Sequence, residues 1–217
     1  MHFYLQMLEQ EEGLRAKIIL ASASPRRKQI FEAMGLDFEI ISPVDCNEEI
    51  SGDPYDIVCR NSISKVKNVF EGYGSKKLEM IHSGEDSRFL ISSFDTIVSI
   101  EDRVLGKPSS PGEGYEYISL LSGREHRVIS GVCVLDSSTG KYECGSSTTQ
   151  VYFRQLSESE IRNYISQNDV LDKAGAYNIN GTGLVLVEKI NGCFYNVAGV
   201  PVYEYIGLLK KFNYKIL

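Results

Sequence analysis

At 217 residues and a formal net charge of −6, the chain has material for a sizeable core and no bulk attraction to nucleic acid or an anionic membrane. No stretch approaches the roughly 20 apolar residues of a membrane span, and Met1 to Leu14, carrying Glu9, Glu11 and Glu12, lacks the apolar region of a secretory signal. Five scattered cysteines without a C-x-x-C pair argue against a zinc site or a disulfide scaffold and for reduced thiols in the cytoplasm.

Residues 1–16 read as a short N-terminal extension and 17–217 as a single domain. The apolar run from Ile18 to Ala21 predicts a buried strand, and Ser24-Pro25 opens a helix directly after it. Ile30, Phe31 and Met34 give that helix an apolar face, and Gly35 ends it. Asp37 to Ile41 reads as a second strand, followed by an acidic loop with Asp45, Glu48, Glu49 and Asp53. A helix from Pro54 to about Phe70 precedes residues 71–87, which lack sustained periodicity and read as a surface insertion. Phe89 to Ile100 predicts a long strand with a short return strand at Val104-Leu105. A helix around Gly114 to Leu121 comes next, then strands at His126 to Leu135 and Tyr142 to Phe153. Ser157 and Glu160 form a capping-box pair for a helix to Ile165. Gly181 to Ile190 and Cys193 to Val197 read as late strands, and Tyr203 to Lys211 as a closing helix. Hairpins interrupt the alternation of strands and helices, which predicts an α/β fold on a mixed sheet.

The first helix start carries the strongest chemical signal. Arg26 and Arg27 sit in its first turn, where the helix macrodipole disfavours cations unless an anion is bound. Free backbone N–H groups, the small residues Ser22 and Ser24 and two guanidiniums describe a phosphate site; the alternative is a solvated basic helix start. Asp95-Thr96 lies within an apolar strand, so the carboxylate needs a cation or a hydrogen-bond network, and a divalent metal or nearby backbone would serve. Lys107, between Gly106 and Pro108, lies on the partner strand of the same hairpin, so that it and Asp95 can face one cleft. Lys65 reads by default as a surface lysine and His126 as a structural hydrogen-bonder. In Leu171 to Gly183, Gly175, Gly181 and Gly183 permit close approach to a ligand, Lys173 offers a cation, and the Asn180 amide can read a base edge.

Leu20-Ala-Ser-Ala-Ser-Pro-Arg-Arg27, Asp95-Thr96, Gly106-Lys-Pro108, Leu121-Ser-Gly-Arg-Glu-His126, Asp172-Lys-Ala-Gly-Ala-Tyr177 and Asn196-Val-Ala-Gly-Val-Pro201 together resemble the Maf family of nucleoside triphosphate pyrophosphatases. The resemblance implies an elongated mixed β-sheet with flanking helices and two lobes around a central cleft. It implies hydrolysis of a nucleoside triphosphate at the α–β bond with Mg²⁺ or Mn²⁺, in the cytoplasm, by a protein that can form a homodimer. By the same resemblance Asp95 matches the family's proton acceptor and metal-associated aspartate, and Arg26, Arg27, Lys65 and Lys107 its cations around the triphosphate. Ser22 and Ser24 match its phosphate-loop residues. The forms Asp95-Thr96 and Asp172 to Tyr177 resemble the branch acting on dTTP and UTP.

The chain departs from that pattern in places. Asn178-Ile-Asn-Gly181 stands where the family has Gly-Ile-Gln-Gly, so Asn180 replaces a specificity glutamine. The acidic loop carries an extra residue, leaving Glu48, Asp45 or Glu49 as the family's metal-binding glutamate. Phe94 replaces a small residue before the aspartate, which either crowds the strand or alters packing behind it. Two other functions remain open at this level: a nucleotide-binding regulator of cell division without hydrolysis, and a pyrophosphatase for modified or purine triphosphates.

Overall fold

Strand β1, Lys17–Leu20, buries Ile18, Ile19 and Leu20 and passes through Ala21 to Ser24 into helix α1, Pro25–Ala33. The computed structural model describes residues 16–44, 46, 48–81 and 88–216; Asp45 and all but the last residue of the expected extension lie outside the described residues. Gly35, at φ +68°, ends α1, with the Leu36 N–H donating back to the Phe31 carbonyl at 3.3 Å. Strand β2, Phe38–Ile40, then runs parallel to β1. Helix α2 is Pro54–Ile81. Beyond it lie strand β3, Phe89–Ile100, its antiparallel partner β4, Arg103–Leu105, and helix α3, Pro111–Leu121, capped by the Ser110 hydroxyl. Strands β5, Glu125–Asp136, and β6, Tyr142–Phe153, form a long hairpin. Helix α4, Glu158–Gln167, opens on the expected Ser157/Glu160 capping box. Strand β7, Val187–Asn191, the helical turn α5, Phe194–Val197, and helix α6, Val202–Lys211, complete the described chain.

The sheet is mixed, as expected. Seven strands run in the order β2-β1-β3-β5-β6-β7, with β4 also on β3. β1 is parallel to both neighbours, and every other pairing is antiparallel. Alternation along β3 divides its side chains between two layers. Leu90, Phe94 and Val98 join the larger core with Phe31 of α1 and Tyr205 of α6. Phe89, Ile91 and Ile97 face α2, against Val66 and Val69 at one end and Ile57 and Val58 at the other. Among the described residues no helix is long and apolar enough to cross a membrane.

The same register creates the cleft. β1 pairs with β3 only as far as Leu20↔Ser92, and β4 pairs from Val98↔Leu105 onward. Among the described residues, residues 93–97 of β3 therefore have a strand partner on one side only, β5. Asp95 lies at the centre of this open edge, between the loop leaving β1 and the Gly106-Lys107 segment leaving β4. A crevice beyond the carboxyl end of a parallel strand is where open α/β sheets bind ligands.

Three expected elements differ. Residues 71–81 continue α2, because Lys76-Lys-Leu-Glu-Met80 restores strong helix formers after the two glycines; residues 82–87 lie outside the described residues. Gly181 to Val185 is a 3₁₀ turn and only Val187–Asn191 is strand. A Cβ at Gly183 would lie 1.6 Å from the Asn178 carbonyl oxygen, so this segment folds back on itself. Cys193 to Val197 is the helical turn α5, buried through Asn196, whose amide donates to the Val128 carbonyl at 3.1 Å and Thr149 Oγ1 at 3.0 Å. A stretch of five residues is too short to show a period that distinguishes the two conformations.

Candidate active site

The open edge of β3 faces a cleft of about 690 Å³. Its chemistry is split by the pleat of that strand: Asp95 projects toward α2, and Thr96 toward α1.

On the α2 side, Lys65 Nζ lies 2.5 Å from Asp95 Oδ1 and 2.9 Å from Glu48 Oε1. Lys65, expected by default on the surface, is buried at 8 % exposure. An ammonium and a carboxylate are kept charged at such depth only by each other and by further hydrogen bonds. Asn61, one turn earlier on α2, donates to Asp95 Oδ2 at 2.9 Å. Lys107 Nζ reaches both oxygens of Glu48, at 3.1 and 2.9 Å. Burial pushes the Glu48 carboxyl up, but the Lys65 charge and the hydrogen bonds from Lys107 and Lys65 outweigh it and hold the group at about 2. Of the two loop glutamates, Glu48 shares the Lys65 ammonium with Asp95, whereas the Glu49 carboxylate turns to Arg60 at 2.8 Å; Asp45 lies outside the described residues.

On the α1 side, Arg27 is held entirely by neutral acceptors. Nε donates to the Gly199 carbonyl at 3.1 Å, Nη1 to Ser22 Oγ at 3.2 Å and Nη2 to Thr96 Oγ1 at 3.4 Å. Thr96 Oγ1 lies 2.9 Å from Ser130 Oγ, which donates to the Asn196 carbonyl at 2.9 Å. Since Ser130 gives its proton to Asn196, Thr96 donates to Ser130 and remains free to accept from Arg27. Burial lowers the Arg27 guanidinium to about 10, so it stays charged at neutral pH. Among the described residues no carboxylate hydrogen-bonds it, so that charge is available to an anion. Ser24 occupies the N-cap of α1 without a side-chain cap bond; its own N–H donates to Ser22 Oγ at 3.2 Å. The Arg26 and Arg27 N–H groups of the first turn accordingly remain for a ligand in the cleft.

Phe94 resolves the packing question raised by its size. It lies on the face opposite Asp95, edge-on to Phe31 and Tyr205, with the Arg27 guanidinium 5.8 Å from its ring. It alters packing behind the strand and supports Arg27 from below.

The far wall is Asp172 to Asn178. Gly175, at φ +66°, packs so tightly on β3 that a Cβ there would meet Val98 Cγ2 at 2.7 Å, and its N–H donates to the Gly106 carbonyl at 3.0 Å. This contact fixes the wall against the segment that carries Lys107. Lys173 lines the cleft and pairs with Asp172. Asn178, rather than Asn180, lines the cavity; its Oδ1 accepts from Arg26 Nη1 at 2.9 Å and from the Asn180 N–H at 3.2 Å. Asn180 stands outside the lining. His126 is a structural hydrogen-bonder as expected: buried, 2.9 Å from Tyr177 Oη, and lowered to about 4 by burial.

The structure therefore brings Ser22, Ser24, Arg26, Arg27, Glu48, Lys65, Asp95, Thr96, Lys107 and Lys173 to one cleft. It adds Asn61, Asn178 and, behind Thr96, Ser130. Asn61 had a legible signal: it lies four residues before Lys65, on the same face of a helix.

Comparison with known proteins agrees with this constellation. The chain is similar to the dTTP/UTP pyrophosphatases of Caldicellulosiruptor saccharolyticus (38 % identical over 203 residues, 93 % of this chain and 97 % of that protein) and Thermococcus gammatolerans (39 % over 200 residues, 92 % and 98 %). It is similar also to that of Bdellovibrio bacteriovorus (37 % over 199 residues, 92 % and 100 %). Residues 17–212 match the family model described as Maf-like protein, and the chain belongs to the Maf family.

Proposed function

We propose that the chain is a nucleoside triphosphate pyrophosphatase that cleaves dTTP or UTP between the α and β phosphates, giving the monophosphate and pyrophosphate. The carrying observation is the convergence, on one cleft, of an anionic pair with a buried guanidinium hydrogen-bonded to neutral acceptors and a helix start without a side-chain cap. Asp95 and Glu48 share the Lys65 ammonium, while Arg27 and the first turn of α1 face the same space. The similarity to proteins named dTTP/UTP pyrophosphatase supports the substrate class.

In this reading the triphosphate lies along α1, with Arg26, Arg27, Lys65 and Lys107 around its oxygens and Ser22 and Ser24 beside them. A water attacks the α-phosphorus and gives its proton to Asp95. The bond from the α-phosphorus to the bridging oxygen breaks, and its electron pair leaves with pyrophosphate. The lysines and Arg27 neutralise the charge developing there, so catalysis is largely positioning and electrostatic stabilisation.

The donor set suits Mg²⁺ or Mn²⁺. Glu48 and Asp95 offer hard carboxylate oxygens around a single ammonium, and Mg²⁺ is commonly held by one or two carboxylates plus phosphate oxygens. Phosphate oxygens of a bound nucleotide would complete the coordination of such an ion. Once bound, such an ion supplies charge neutralisation and activation of water.

The test is a panel of triphosphates with Mg²⁺ or Mn²⁺, with monophosphate and pyrophosphate measured directly. Wild-type turnover of dTTP and UTP and its loss in Asp95→Asn are expected; an undiminished Asp95→Asn would overturn the role of Asp95. Binding without product across the panel would leave the regulator reading standing instead.

A further inference from the structure

We infer that Asn61 is a positioning residue for Asp95, fixing the carboxylate plane and its spacing from Glu48; this rests on the pyrophosphatase reading. Asn61 is 3 % exposed and each hydrogen-bonding end of its amide is engaged. Nδ2 donates to Asp95 Oδ2 at 2.9 Å and to the Glu49 carbonyl at 3.0 Å, and Oδ1 accepts the Glu49 N–H at 2.9 Å. Both partners of Nδ2 are acceptors and the partner of Oδ1 is a donor, so the amide has one orientation.

Two consequences follow from that geometry. Lys65 takes Asp95 Oδ1 and Asn61 takes Oδ2, from successive turns of one helix. A carboxylate held at both oxygens cannot rotate, and its remaining lone pairs keep a constant direction into the cleft. The same amide also grips the backbone of Glu49, next to Glu48. This side chain thereby ties the acidic loop to the carboxylate that it faces. Among the described residues the side-chain hydrogen bonds of Asn61 go to Asp95 and the Glu49 backbone and to none of the cations assigned to the phosphates, which separates its effect from substrate affinity.

Asn61→Leu, close in volume and suited to a buried helix position, and Asn61→Ala, a strong helix former, each remove all three side-chain bonds without adding a charge. Steady-state kinetics with dTTP and UTP, and calorimetric binding of a non-hydrolysable α,β-methylene nucleotide, separate positioning from binding. Both variants are expected to lose kcat by about 10- to 100-fold, the scale of a small misplacement of reacting groups. KM and analogue affinity should stay within about twofold, the signature of an interaction used in the transition state. Full activity in Asn61→Leu overturns the inference alone, and so does a fall in kcat matched by an equal loss of analogue affinity. A wild-type protein silent toward every triphosphate would overturn the functional reading and this one with it.

Discussion

Lys65 Nζ sits 2.5 Å from Asp95 Oδ1, with the lysine side chain 10 % exposed and the aspartate side chain 5 % exposed. The pair is extended by Glu48, 2.9 Å from the same ammonium, and by Asn61, which donates to Asp95 Oδ2. Removing one partner of a buried ion pair costs about 3–5 kcal/mol, because the remaining charge is left uncompensated. Lys65→Met should therefore lower the thermal midpoint markedly as well as abolish pyrophosphate release. The double variant Lys65→Met/Asp95→Asn should recover stability without recovering activity. Thermal melts of the three proteins test this; additive losses in the double variant would count against the pairing.

Thr96 joins Arg27 to Ser130 and, through it, to the Asn196 carbonyl. Thr96→Val keeps the shape but leaves Arg27 Nη2 without that acceptor and Ser130 without that donor. The expected stability loss is about 1–3 kcal/mol. Because Arg27 is assigned to binding phosphate in substrate and transition state alike, the nucleotide KM should rise about five- to tenfold with a smaller change in kcat. Unchanged KM in Thr96→Val would remove Thr96 from the orientation of Arg27.

The sequence disclosed the members of the site more readily than their connections. Asp95 and the Ser24-Pro25-Arg26-Arg27 turn were legible because each places a charge where burial or the helix dipole opposes it. Lys65 entered through the family resemblance alone, since a mid-helix lysine normally snorkels to solvent, and its burial follows from the open edge of β3, which gives it a partner. Asn61 shared the helix face of Lys65, a legible spacing, but its partner lies on a strand 34 residues away in sequence. The shift from Asn180 to Asn178 at the cleft follows from the turn at Gly181 and the collapse of Gly183 onto the Asn178 carbonyl, neither of which local periodicity records. The α/β class and mixed sheet were readable from strand lengths and hairpin turns, whereas the helical turn α5 depends on buried contacts of Asn196 to other strands.

His126 predicts a pH dependence with a definite sign. Burial holds it at about 4 in the folded protein, below the ordinary 6.5. Between those values the unfolded chain binds a proton that the native state refuses. Stability is thus fully present above pH 6.5, falls as pH drops toward 4, and levels off below it, with roughly 3 kcal/mol at stake. His126→Gln keeps a polar group facing Tyr177 and does not titrate in this range. Urea midpoints at pH 7, 5.5 and 4 should fall less steeply for the variant than for the wild type; parallel curves would contradict the assignment.

Base choice is expected to respond to Asn178 more than to Asn180. Both partners of Asn178 Oδ1, Arg26 Nη1 at 2.9 Å and the Asn180 N–H at 3.2 Å, are donors, so the amide cannot be reversed. Nδ2 is then the end available to a ligand, and it offers only donors, which suits a keto oxygen and not an exocyclic amine. A site that hydrogen-bonds its substrate rejects an analogue lacking the matching group, because the site group is left unpaired. Asn178→Ala should narrow the ratio of kcat/KM for UTP over CTP by about tenfold, the low end of what one base-edge hydrogen-bond pair contributes to discrimination. Asn180→Ala, altering a side chain outside the cleft lining, should change that ratio by less than about threefold on the same scale. Measuring both ratios side by side decides between the two asparagines, and a larger effect at Asn180 would return base recognition to the position that the family resemblance first indicated.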